Sequence, residues 1–415
     1  MSRSETSPEK PALVFDPDAP AFNVDPYPTF ARLREEAPVY YWAPAGSYLV
    51  SRYDDVARLL RDPAFSANPV DAGLPAGRED FLAPELRPLV AEGLFRKSAV
   101  DHARIRRVVG PAFSPRAVER LRPQVQQLVD EGLAGWAGAS EVEFTDFSNV
   151  VPYRVMSTML AIPPRHERLF YGFAQAFVRS IDPRQTPEQL RALFEPVPAG
   201  AAMLRGVIDE RQRAPGDDLL SALIVARDAG DALSQDELVA LVITLISAGT
   251  ETTTHFLNFA LLTFLREPGC LELLRREPAL LRGALEEALR WDNFAKLGTP
   301  RYATADVELG GHHFRRGDRL LALLPSALRD PRAFADPDAF DPRRQPRESV
   351  QFGAGPRYCL GAWLARLEGE VIFATLLARF AHLRLAGEPA FSDHPFMREF
   401  RSLRVSLAPP GGAGA

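Results

Sequence analysis

Apolar residues recur every three or four positions in four stretches: YPTFARLREEA (27–37), YDDVARLLRD (53–62), AVERLRPQVQQLVDEGLAGWA (117–137) and ALLRGALEEALRW (279–291). Each pattern lines one face of a helix with apolar side chains. A fifth stretch is apolar on almost every side. It starts at Ser234, which forms a capping box with Glu237, and stops at Pro268. That predicts a helix of roughly 34 residues, ~50 Å long, enough to cross the whole molecule. Strand signals are few. PVYYW and SYLVSRY flank a loop near 44–47 as a hairpin would, VELGGHHF turns at a Gly-Gly pair, RLLALLP follows it, and HLRLA and LRVSL close the chain. Residues 328–349, LRDPRAFADPDAFDPRRQPRES, are dense in Pro, Asp and Arg and predict a long irregular coil. The fold expected is mainly α with small β-sheets. One domain spans 1–415, with residues 1–15 a flexible polar segment.

Composition narrows the class. The chain has 415 residues, 46% apolar and 25% charged, with net charge −5, so nucleic acid is not the expected partner. The N-terminus carries no apolar signal-peptide core, and no apolar run is long and unbroken enough for a membrane span. A cytoplasmic monomer is expected. Only two cysteines occur, Cys270 and Cys359, and no C-x-x-C pair offers a zinc site. Cys270 follows Glu-Pro-Gly at a helix end and reads as an inert small apolar residue.

Two places break the pattern. The first is ISAGTETTTH (246–255), which puts a glycine, an acid and four threonines in the middle of the apolar helix. Gly costs roughly 1 kcal/mol against Ala in a helix interior, and Thr is also a poor helix former. Thr252 can bond back to the carbonyl one turn earlier, and with Gly249 it is expected to loosen the helix locally. The second is FGAGPRYCLG (352–361), where Gly353 and Gly355 bracket a tight turn and Cys359 precedes a new helix. Glycines allow positive φ and close approach of another group to the backbone. A sulfur facing unpaired N–H groups at a helix start is favoured as thiolate. Such a thiolate can ligate a flat macrocycle lying against the backbone.

FGAGPRYCLG resembles the haem-binding signature of the cytochrome P-450 family of haem-thiolate monooxygenases. Glu287-Ala288-Leu289-Arg290 is similar to that family's E-x-x-R helix, and Ala248-Gly249-Thr250-Glu251-Thr252-Thr253 to its oxygen-activating helix. The three occur in the family's order, and the resemblance runs from about residue 15 to 408. It implies haem b with Cys359 as axial ligand to iron, cradled by Phe352, Gly353 and Gly361. His102, Arg106, Arg301 and Arg357 stand where the family binds haem propionates, with Arg357 in place of a frequent His and expected to grip a carboxylate bidentately. Glu287 and Arg290 match an ion pair that anchors the irregular coil, with Arg344 as third member. Two departures, Ser349 for a frequent His and no Asn ahead of Arg329-Asp330-Pro331, leave the propionate network open.

The resemblance also answers the threonine puzzle. Leu245, Ala248, Gly249 and Thr252 become a face turned to the haem, with Glu251 and Thr252 an acid–alcohol pair that delivers protons to reduced dioxygen. The implied activity is insertion of one oxygen atom from O2 into a lipophilic substrate. Electrons come from NAD(P)H through a ferredoxin reductase and a ferredoxin, the latter docked by Arg104 and Arg107. Specificity is expected from 66–95, 170–205, the distal helix, 293–298 and 394–398, with Leu245, Phe294, Ala295, Leu297, Phe396 and Met397 lining the pocket. RWDNFAKLGTPRYA and HPFMREFRSL are similar, more loosely, to myxobacterial members that epoxidise macrolides such as epothilone. A haem-thiolate sensor or carrier, or the same fold doing non-hydroxylating oxidation, stays open at this level.

Overall fold

The computed structural model describes residues 12–75, 92–166, 184–227, 233–344 and 349–409, with residues 87, 169, 176 and 179. Its main helices are α1 (Tyr27–Glu36), α2 (Tyr53–Arg61), α3 (Ala99–Val109), α4 (Arg122–Gly132), α5 (Val151–Met159), α6 (Gln235–Arg266), α7 (Leu281–Trp291) and α8 (Ala362–Arg379). The 32-residue α6 is the axis, and α5, α7 and α8 pack on it. Both halves of the capping box form: Ser234 Oγ accepts from the Glu237 N–H, and Glu237 accepts from the Ser234 N–H. Apolar residues surround α6, so it is buried nearly throughout and needs no polar face.

The threonines sit in α6 without breaking it. Thr250, Thr252 and Thr253 donate their hydroxyls to the carbonyls of Ile246, Ala248 and Gly249, at 2.9, 2.6 and 3.0 Å. Each hydroxyl is therefore satisfied inside the helix, and the expected loosening is absent: residues 235–266 are continuous α-helix. Thr254 instead bonds across to the Ser148 carbonyl at 2.9 Å. The single helix expected over 117–137 is also not found. Residues 115–119 form one short helix and α4 begins at Arg122, with Pro123 in its first turn. Proline lacks an N–H and its ring collides with the preceding turn, so the helix restarts there.

Strands form a five-stranded sheet in which β2 (Ser47–Val50) lies between β1 (Val39–Trp42) and β8 (Arg319–Ala322), and β5 (Thr299–Ala303) lies between β8 and β3 (Phe65–Ser66). The Gly-Gly hairpin pairs Val307–Leu309 with His312–Phe314, and HLRLA and LRVSL contribute two antiparallel strands of a further sheet. The flexible segment expected over residues 1–15 lies partly outside the described residues, and its last residue is packed in place. Phe15 is buried edge-on against Phe22 and Trp42, centroids 5.5 and 5.2 Å away, because the aromatic pocket gives it a place to bury.

Arg398 ties the ends of the chain to this frame. Its fully buried guanidinium pairs with Asp292 at the end of α7, donates to the carbonyls of Asn23 and Val24 at 2.8 and 3.0 Å, and lies 4.5 Å over the Phe259 ring of α6. Removing one member of a buried pair strands the other charge. Asp292→Ala is therefore expected to cost about 3–5 kcal/mol, read as a lowered midpoint of urea unfolding. A loss below ~1 kcal/mol, the worth of an exposed pair, would contradict this role.

Candidate active site

The cysteine loop is held in shape by its own backbone. Gly353 sits at φ +76° and donates its N–H to the Val350 carbonyl at 2.8 Å, and the Cys359 N–H reaches the Phe352 carbonyl at 2.9 Å. Gly355, at φ +68°, has no space for a side chain: a Cβ there would lie 2.9 Å from the Leu60 carbonyl oxygen. The Gly361 N–H, just before α8, is directed at the Cys359 sulfur. The thiol has open surface, yet burial pushes its pKa above the usual range, against the pull of Gly361, Arg106 and Arg366. Both hold together if the sulfur lines a space enclosed by protein.

Three arginines and a neutral histidine lie near one another, with Arg106 beside that sulfur. His102 and Arg106 project from α3, Arg301 comes from β5, and Arg357 comes from the cysteine loop itself. Burial, then Arg357, Arg106 and Arg301, bring the His102 pKa down to about 4. Burial and the neighbouring guanidinium of Arg357 lower Arg301 to about 10. Arg357 falls to about 10 by burial and Arg106, against weak help from Asp71. Burial lowers Arg106 too, against the pull of Cys359. None of the four forms an ion pair among the described residues. A sulfur beside partly desolvated guanidiniums that have no ion-pair partner among the described residues fits a ligand that brings both a thiophilic metal and carboxylates, as haem b does. The Arg357 guanidinium donates to the carbonyls of Leu94, Phe95 and Lys97, at 3.0, 3.5 and 2.5 Å, so it tethers the segment before α3.

Behind the loop, Glu287 and Arg290 pair at 2.7 and 2.8 Å, and Arg344 Nε joins Glu287 at 2.9 Å. Arg290 also donates to the carbonyls of Leu328, Pro337 and Ala339. The coil is irregular, and its backbone groups are satisfied by this guanidinium. A second pair, Glu286 with Arg366, was not singled out in the sequence. Arg366 lies 4.5 Å over the Phe352 ring and so braces the cysteine loop from α8. Two adjacent acids in α7 serving two different arginines were the available signal.

On α6, Leu245, Ala248 and Thr252 share one face by their spacing. Gly249 points elsewhere: a Cβ there would lie 3.0 Å from Met156 Sδ, so its bare backbone lets α5 approach. Glu251 makes no hydrogen bond to Thr252. Its Oε1 accepts from His394 Nε2 at 3.0 Å, and His255 Nε2 stands 3.9 Å away. Burial works to raise the Glu251 pKa, but the two histidines outweigh it and bring it to about 2. His394 was not foreseen as more than part of a loop, since 143 residues separate it from Glu251.

Residues 293–298 and 394–398 run antiparallel. Lys296 N–H donates to the Phe396 carbonyl at 3.0 Å, Arg398 N–H to the Phe294 carbonyl at 2.7 Å, and Ala295 bridges Met397. Phe294 and Phe396 keep partial exposure. Leu297 is buried in a cluster with Phe15, Trp42 and Leu49, on which Phe396 also packs. Buried Lys296 donates to the His394 carbonyl at 2.7 Å, and burial lowers its pKa to about 8. The expected specificity segments 66–95 and 170–205 lie partly outside the described residues. Arg104 does not face outward with Arg107. It pairs with Glu237 at 2.5 Å and Asp101 at 3.2 Å, drawn in by the acid that caps α6, while Arg107 is exposed.

Comparison with known proteins agrees with this arrangement. The family model for Cytochrome P450 matches residues 34–399. The chain is 40% identical over 413 residues to the epothilone C/D epoxidase of Sorangium cellulosum, covering 98% of each. It is 33% identical over 381 residues to the 6-deoxyerythronolide B hydroxylase of Saccharopolyspora erythraea, covering 90% of this chain and 93% of that one. The crystal structure of epothilone D-bound cytochrome P450epoK matches with TM-score 0.90 at 39% identity, over 96% of this chain and all of that one. Among the described residues no helix is long and apolar enough to cross a membrane. With this fold, a sulfur beside partly desolvated guanidiniums and hydroxylase and epoxidase relatives, the chain belongs to the cytochrome P450 family and is a haem-thiolate monooxygenase using haem b.

Proposed function

We propose that this monooxygenase hydroxylates or epoxidises a macrolide of the epothilone kind, with Cys359 as the axial thiolate. The observation that carries the haem-thiolate reading is the grouping of His102, Arg106, Arg301 and Arg357, with Arg106 beside Cys359 and no ion-pair partner for any of the four among the described residues. When bound, haem supplies the redox-active iron, and a thiolate ligand favours O–O cleavage. Phe352, Gly353 and Gly361 shape the loop against the macrocycle. Arg106 and Arg301 would neutralise its propionates, His102 would donate a hydrogen bond to them, and Arg357 would add charge while it tethers Leu94–Lys97. Glu287, Arg290 and Arg344 hold the coil behind it.

On the distal side, Leu245, Ala248 and Thr252 face the reaction space. The Thr252 hydroxyl spends its proton on the Ala248 carbonyl, which leaves its lone pairs to accept from a proton-carrying water. Glu251, ionised and buried, is the acid through which protons arrive. Phe294, Ala295, Phe396 and Met397 bound the substrate on the side where the two loops zip together. The 40% identity to an epothilone epoxidase supports a large lipophilic substrate.

Thr252→Ala is expected to leave substrate binding intact, read as the spin-state shift of the Soret band with epothilone D, and to uncouple turnover. Product per NAD(P)H should fall at least ~10-fold, within the range of proton-transfer catalysis, while hydrogen peroxide rises. Wild-type coupling in the variant would remove Thr252 from proton delivery. A product heavier by one oxygen atom in the wild-type assay supports the substrate class, and no Soret shift with any macrolide tested would reject it.

The protein acts in the cytoplasm as a monomer, and its electron donor is a ferredoxin served by an NAD(P)H-dependent reductase. Exposed Arg107 presents positive charge on α3, whose inner face carries His102 and Arg106. Arg107→Glu should slow reduction by ferredoxin several-fold at low salt but leave reduction by dithionite unchanged. Equal ferredoxin rates in the two proteins would exclude this docking face.

A further inference from the structure

We propose that His394 is a positioning residue that holds the Glu251 carboxylate against the pocket loop, so that proton delivery waits on movement of that loop. The proposal rests on the reading of Glu251 as the acid of proton delivery.

His394 is fully buried, and every polar atom of the residue is engaged. Its Nδ1 lies 3.1 and 3.0 Å from the backbone nitrogens of Phe396 and Met397, both of which donate to it. A ring nitrogen that accepts two N–H groups carries no proton. In the neutral ring the proton is therefore on Nε2, which donates to Glu251 Oε1 at 3.0 Å. The backbone N–H of His394 reaches Ser392 Oγ at 3.2 Å, and its carbonyl accepts from buried Lys296 at 2.7 Å. One imidazole thus grips the loop that carries Phe396 and Met397 through one nitrogen, and the acid of the distal helix through the other.

The acid is held at one oxygen only. Glu251 Oε2 and both ring nitrogens of His255 are buried with no hydrogen-bond partner among the described residues. With His255 Nε2 at 3.9 Å, His394 is the one donor at hydrogen-bond distance among the described residues, and its movement loosens the carboxylate. The Ala295–Met397 bridge and the Lys296 N–H bond to Phe396 couple the loop to residues 293–298, while Arg398 anchors its far end. A substrate pressing on Phe294 or Phe396 shifts both segments, and His394 goes with them. Without substrate Glu251 stays held, and reducing equivalents are not wasted on dioxygen.

Two substitutions separate the halves of this device. In His394→Asn the amide oxygen can take the place of Nδ1 and keep the loop, but nothing reaches Glu251. In His394→Gln the amide nitrogen can take the place of Nε2 and keep the hold on Glu251. The assay is NAD(P)H oxidation by the holoenzyme with its redox partners and no substrate, in H2O and D2O. H394N should raise the substrate-free rate by about 10-fold, the worth of one hydrogen bond to a charged group, and change the solvent isotope effect. H394Q should return the rate toward that of wild type. Adding E251Q to H394N should abolish the gain, because the histidine acts through the acid.

The measurement independent of turnover is the ¹⁵N spectrum of the His394 ring in the resting protein, expected to show bare Nδ1 and protonated Nε2. A protonated Nδ1 overturns the proposal whether or not either variant folds. If E251Q alone leaves the rate and isotope effect at wild-type values, the reading of Glu251 as the acid is wrong. If E251Q changes them and H394N does not, or if the H394N gain survives E251Q, the positioning role of His394 is wrong.

Discussion

Buried positive charge is the constraint on which the site depends. His102, Arg106, Arg301 and Arg357 are brought together from α3, β5 and the cysteine loop, and their pKa values fall because each is desolvated and, for all but Arg106, because a neighbouring guanidinium adds repulsion. An isolated buried charge is costly unless it is paired. Carboxylates delivered into this space reverse the sign: they favour the charged forms and turn mutual repulsion into attraction. The same space contains the Cys359 thiol, which burial keeps protonated and a metal would deprotonate. Charge and sulfur therefore ask for the same ligand.

The remainder of the fold serves that geometry. Arg290 gives order to a coil that has almost no regular hydrogen bonding of its own, and Arg366 braces the cysteine loop from α8. Arg398 fixes the pocket loop to α7 and to residues 23–24. These arginines act through backbone carbonyls and rings as much as through acids. A lysine has three donors on one point, so it could not serve three carbonyls and both oxygens of Glu287 at once, as Arg290 does.

Much of this was legible from the chain. The capping box at Ser234, the length of α6 and the hairpins were written in local patterns that tertiary packing did not override. The cysteine loop was legible because its glycines answer to backbone geometry, as the positive φ of Gly353 and the close approach of Leu60 to Gly355 show. Local pattern failed where a distant partner decided the outcome. Arg104 turned inward to Glu237. Gly249 answered to Met156 of a neighbouring helix, and Glu251 to a histidine from the C-terminal loop. Helical periodicity over 117–137 hid the break before α4 because a pattern of apolar spacing does not register the missing N–H of Pro123.

The most direct test of the central claim is the ferrous carbon monoxide difference spectrum of the purified protein beside its Cys359→Ser variant. The account predicts the red-shifted Soret band of a thiolate-ligated haem in the wild type and its loss in the variant. A wild-type protein without that band, or a variant that keeps it, would contradict the assignment of this cavity as the haem site.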